Sequence, residues 1–195
     1  MIGEKTRAGL LALVRETIAR KLGIEYPIPA GLQEALDNDP LVREKRGVFV
    51  TLHKQGALRG CIGYIEPVSA LQDAIPEMAL AAAFRDPRFP PLFPEEFSQI
   101  DIEISVLSPL FPLSDPGQVV VGTHGLVASR GARRGLLLPQ VPVEQGWDRA
   151  TYLRHVCLKA GLEPDALSRG ASLEAFTATV FGEKDDLHGN TQSGH

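Results

Sequence analysis

Residues 58–64 read Leu-Arg-Gly-Cys-Ile-Gly-Tyr, and this short run holds the groups best suited to chemistry. A cysteine thiolate is a nucleophile and a metal ligand, and a neighbouring cation lowers its pKa. Arg59 stands two positions from Cys61. If the run is a strand, period two puts both on one face, with the guanidinium near the thiol. An arginine fork also pairs planar carboxylate or phosphate groups in bidentate fashion. Gly60 and Gly63 bracket the cysteine. Glycine inside a strand marks a bulge or a close approach by another backbone or a ligand. The plainer alternative is a bulge with Cys61 as a small buried hydrophobe.

Two further groups stand out. His124 lies in Gly122-Thr-His-Gly-Leu126, where close glycines predict a turn and an exposed imidazole able to act as acid, base or ligand. Glu103 lies on the polar side of Asp101-Ile-Glu-Ile-Ser105. If that side lines a cleft, Glu103 can orient His124 or bind a cation; otherwise it is solvated. His53 falls near a hairpin tip, and His155 and Lys159 share an exposed helix face. Trp147 reads as a core or staple residue. Arg130, Arg133 and Arg134 surround Gly131, giving either a solvated turn or an anion or partner contact.

Much is excluded. With no CxxC, HxxxH or HExxH pattern among two cysteines and five histidines, no zinc site or dithiol motif is expected. Metal delivery through Cys61 and a histidine is a weaker idea. There is no GxxxxGK[ST] and no GxGxxG, so no nucleotide cradle and no cofactor are expected. The GxxG of residues 60–63 sits in a strand, unlike a KH loop. A net charge of −4 argues against non-specific nucleic-acid binding. The polar start and short apolar runs predict a soluble, cytoplasmic chain with no membrane segment.

The elements that must position these groups follow from periodicity. Leu10, Val14, Ile18 and Leu22 predict a helix over 6–22, stopped by Gly23. Residues 31–37 suit a short helix. Residues 47–66 read as a hairpin turning at Gln55-Gly56. A helix to Ala83 should begin near Asp73, because Pro76 is tolerable only in a first turn. Residues 86–94 hold four prolines and form a fixed loop that carries Arg88. Residues 100–107 alternate as a half-buried strand. Short strands are expected at 119–121, 125–129, 135–138 and 175–181, and a helix capped by Asp148 ends before Gly161. With 19 Gly and 15 Pro punctuating mixed helices and strands, the class is α+β, mainly antiparallel sheet with flanking helices. Residues 1–183 form a single domain and 184–195 a flexible tail.

Leu58-Arg-Gly-Cys-Ile-Gly63 resembles the hallmark motif of the AMMECR domain family, whose prokaryotic members are called AmmeMemoRadiSam system protein A. Residues 83–92, 101–108, 124–126, 136–141 and 157–162 resemble it too, in register from about 6 to 183. Tyr64 departs from the pattern, where a small polar residue is more usual. The resemblance implies two unequal lobes with a cleft between them and the Arg-Gly-Cys strand near it. It also implies a Memo-type protein and a radical SAM enzyme as partners. Two functions follow as expectations. One is an accessory binding protein using Arg59, Gly60, Gly63 and Arg88. The other is a cleft enzyme in which Cys61 serves as nucleophile or acid/base with Arg59, His124 and Glu103 on a small anion.

Overall fold

The computed structural model describes residues 2–185. The expected tail falls almost wholly outside them. The α+β class is as expected, and every strand pairing described is antiparallel. The chain divides into two compact units: one runs to Val106 and resumes at Thr179, and the other is Leu107–Ala178.

The first unit begins with α1 (Glu4–Leu22), α2 (Ala30–Asn38) and a 3-10 turn (Pro40–Arg43). Gly23 ends α1 at φ 74°, the left-handed value glycine adopts without steric cost. β1 (Val48–Lys54) and β2 (Ala57–Tyr64) make the expected hairpin. Gln55 and Gly56 both take positive φ, 53° and 80°, as a two-residue hairpin turn of matching twist requires. β3 (Ile100–Leu107) pairs with β1, and Glu183 N–H bonds Ile102 O beyond the end of the last strand.

α3 (Leu71–Phe84) starts two residues before the expected Asp73, so Pro76 lies inside it. Leu71, Ala74, Ile75, Met78, Ala79 and Ala82 are buried along its length. Burying side chains such as Leu and Ile is worth about 1.5–3 kcal/mol each, enough to offset one lost helical hydrogen bond. These residues pack with Leu10, Val14 and Ile18 against Val48, Val50, Leu52, Ile102, Ile104 and Val106 on one sheet face.

The second unit contains β4 (Phe111–Pro112), β5 (His124–Arg130), β6 (Arg133–Leu137), α4 (Gln140–Glu144), α5 (Arg149–Lys159) and most of β7 (Ser172–Gly182). β5 lies between β6 and β7, and β4 pairs with β7. Residues 119–121 are not the expected strand. They follow a 3-10 turn at Pro116–Gln118, and the proline-rich connection supplies β4 instead. β7 is longer than expected, and α4 was not foreseen. Asp148 caps α5 through Thr151 N–H at 2.8 Å as expected. Tyr152, Val156, Cys157, Leu126 and Ala175 form this unit's core.

Candidate functional site

The site residues of the first unit gather round β2. Leu52 pairs with Gly60, but the next residue, His53, pairs with Leu58. Arg59 is therefore the extra residue of a β-bulge, and the alternation that would seat it beside Cys61 is broken there. Its guanidinium reaches Glu96 on a 3-10 turn (Pro94–Gln99). Nε donates to Oε1 at 3.1 Å and Nη2 to Oε2 at 2.8 Å. Lys54 Nζ adds a contact to Oε1 at 2.9 Å, and Phe93 N–H donates to Oε2. The Arg59 bonds, helped by Lys54 and Phe93 and opposed by burial, pull the Glu96 carboxyl down to about 2. Arg59 is 8% exposed, so its charge is matched inside the protein rather than offered to an anion.

The two glycines have separate reasons. A Cβ on Gly60 would lie 2.2 Å from Ala82 O, so α3 rests its backbone directly on β2. A Cβ on Gly63 would lie 2.3 Å from Val48 O and 2.4 Å from the Phe49 ring, which lies against it.

Cys61 lies on a strand that has β1 on one side only. Its outward N–H donates to Asp86 Oδ2 at 2.9 Å, and its C=O accepts from Arg88 Nη2 at 3.2 Å. Arg88 also bonds both Asp86 oxygens, Nη2 at 2.7 Å and Nε at 3.0 Å. A side-chain ion pair thus takes the place of a neighbouring strand, giving one donor and one acceptor to an edge that would otherwise be open. The Asp86 side chain is 2% exposed and that of Arg88 53%. Arg88, then the N–H groups of Cys61 and Arg88, hold the Asp86 carboxyl well below the usual carboxylate range against the pull of burial. The same pairing raises Arg88. The Phe89 ring has Arg59 at 6.0 Å and Arg88 at 5.5 Å from its centroid.

The thiol itself is half-buried. Thr51, directly opposite on β1, donates from Oγ1 to Sγ at 3.2 Å. Thr51 is also directly opposite Glu103 on β3, so Cys61, Thr51 and Glu103 form one row across three strands. Phe49 and His53 flank Thr51 on the same face. Cys157 contrasts with Cys61: it is fully buried, and burial pushes its thiol up.

His124 belongs to the second unit, where it opens β5 rather than lying in a turn. Its Nδ1 accepts from Val120 N–H at 3.2 Å, and its ring meets Phe111 edge-on at 5.8 Å. An accepting Nδ1 places the proton on Nε2, making the ring a donor there. A Cβ on the adjacent Gly125 would lie 2.1 Å from the Phe176 ring. The arginine cluster supports neighbouring backbone. Arg130 bonds Ala166 O and Arg169 O, Arg133 bonds Gly161 O, and Arg134 faces Glu174. Trp147 stacks on His155 at 3.9 Å, so His155 is not simply part of an exposed face.

Three residues that hold the Arg59–Cys61 segment carry no site signal of their own in the motif: Thr51 and Asp86, which bond Cys61, and Glu96, which bonds Arg59. Only Glu96 had a local signal, since it sits three residues after Phe93 across Pro94 and reaches back to the Phe93 N–H. Among the described residues no group of three or more His, Cys, Asp or Glu is placed to hold a metal ion, and no helix is long and apolar enough to cross a membrane.

Comparison with known proteins agrees with this architecture. The crystal structure of the uncharacterised protein PH0010 from Pyrococcus horikoshii superposes with a TM-score of 0.71 at 40% identity, covering 94% of each chain. A protein of Methanothermobacter thermautotrophicus is 50% identical over 154 residues, 75% of this chain and 80% of that one. Another from Methanosarcina acetivorans is 40% identical over 190 residues, 95% of each. The AMMECR1 family model matches residues 11–181, from the middle of α1 almost to the end of β7 and through the whole Cys61 strand. The chain belongs to the AMMECR1 family.

Proposed function

We propose that this chain is an accessory binding protein whose Arg59-Gly60-Cys61 strand presents a fixed, thiol-bearing surface to partner proteins. One observation carries the reading. The motif's groups hold the strand still while its thiol stays half-exposed: Arg59 on Glu96, Gly60 under α3, and the Cys61 backbone in the Asp86–Arg88 clamp. A rigid, pre-ordered patch loses little entropy on binding. The partners we propose are a Memo-type protein and a radical SAM enzyme, met in the cytoplasm. Purified partners from the same genome should co-purify with the wild-type chain at micromolar concentration, and Cys61→Ser should weaken that retention by roughly tenfold. No association of the wild-type chain with either would sink the reading.

A second reading has Cys61 as a thiol nucleophile or acid/base on a small substrate. The geometry favouring it is a half-buried sulfur held in place by the Thr51 hydroxyl, which donates to Sγ at 3.2 Å. The check is the rate of Cys61 alkylation against pH, with Cys157 as the buried internal control. A midpoint at or above the free-thiol value of about 8.5 removes the enzymatic reading.

A further inference from the structure

The face of the first unit's sheet that carries Cys61 is opposite the one buried by α1 and α3. Period two places Phe49, Thr51 and His53 of β1 on it, with Cys61 of β2 and Asp101, Glu103 and Ser105 of β3. Carboxylates around this sheet have cations. Glu96 holds Arg59 and Lys54, Asp86 holds Arg88, and Glu183 holds Arg15. On the face itself Asp101 holds the Lys184 ammonium at 2.6 Å. Glu103 lies two residues farther along the same strand and face. It is half-buried, and among the described residues it has no hydrogen-bond or ion-pair partner.

We propose that Glu103 is the receptor for a guanidinium group, an arginine side chain presented by a partner segment, with Thr51 and Cys61 forming the floor of the contact. The inference rests on the reading of this face as a partner surface, and it names the chemistry of what docks there. Charge decides the sign. The sequence suggested an anion held by Arg59, but Arg59 is enclosed against Glu96 and Arg88 is tied to Asp86. The unmatched charge left on the face is negative. Acceptors surround it, because the Thr51 oxygen and the Cys61 sulfur lie in the same row. A planar fork fits a carboxylate in bidentate fashion better than a point charge does. Asp101 and Lys184 show that this face already takes one cation from the chain's own sequence.

The test uses the full chain labelled with ¹⁵N and titrated with N-acetyl-argininamide. N-acetyl-citrullinamide, of the same shape but uncharged, is the control. The arginine compound should move the Thr51, Cys61 and Glu103 amides saturably on the order of tens of mM. The citrulline compound, and arginine on Glu103→Gln, should bind roughly tenfold or more weakly. Glu103→Asp keeps the charge and should recover part of the affinity, which separates a binding role from a folding defect. Equal binding of both compounds, unchanged binding to Glu103→Gln, or no saturable shift overturns the proposal. The two readings fail separately. If the partners bind Cys61→Ser as tightly as wild type while argininamide still lands on Glu103, the partner surface falls and the cation site stands. If partner binding needs Cys61 but ignores both Glu103→Gln and argininamide, the cation site falls alone.

Discussion

Asp86 and Glu96 do for β2 what a further strand and a further helix would otherwise do. One completes the hydrogen bonds of the Cys61 backbone and the other neutralises the bulged Arg59. Both carboxyls are more acidic folded than unfolded. The stability they contribute is therefore complete above the unfolded value, about 4.5 for Glu96, and is lost as pH falls, in the case of Glu96 through about 2. Urea midpoints measured down this range should fall in the wild type, and Glu96→Gln should be less stable at neutral pH with a shallower fall. Identical acid profiles for the two would contradict the assignment. Neither role was legible in the sequence. Asp86 and Cys61 are 25 positions apart, and Arg59 and Glu96 are 37 apart. Nothing local distinguishes a carboxylate that caps a distant strand edge from one that is solvated. What could be read was that Cys61 and its two glycines sit in an unusual strand. One inserted residue ends the strict alternation on which the pairing of Arg59 with the thiol rested, and the guanidinium bonds Glu96.

At the scale of elements, Gly60 shows how closely α3 and β2 approach. Its missing Cβ would fall on a helix carbonyl, and backbone cannot move aside as a flexible side chain does. Gly60→Ala should therefore cost more than about 3 kcal/mol or abolish folding. Gly31 is the control: it lies in α2 with open space around its Cβ position, so Gly31→Ala should stabilise by up to about 1 kcal/mol. Chemical denaturation of both variants decides it, and two similar values would refute the close-approach account. Periodic elements were legible: α1, the β1–β2 hairpin, β3 and the capped α5 all follow from apolar spacing and turn residues. β4 and α4 were not, because Phe111–Pro112 and Gln140–Glu144 are too short for a period to show. α3 starts earlier than Pro76 alone predicts because burial along the helix outweighs the proline's cost.

For the molecule as a whole, one ion pair ties the first helix to the residue that follows the last strand. Arg15 on α1 bonds both oxygens of Glu183, Phe97 O and Ile100 O, while Glu183 accepts from Ile102 N–H at 2.9 Å. Arg15→Ala leaves a partly buried carboxylate and two carbonyls without their donor, which should cost about 3 kcal/mol. A loss under about 1 kcal/mol in urea unfolding would show the pair to be dispensable. Arg15 and Glu183 stand 168 positions apart, and that separation has a consequence for synthesis. The first unit needs Thr179–Gly182 and Glu183, yet Leu107–Ala178 emerge from the ribosome before them. The second unit can form its own core while the first still waits for residues 179–183. Until residues 179–183 arrive, the β3 edge at Ile102 is unpaired, so the nascent chain is most prone to aggregation while it lacks them.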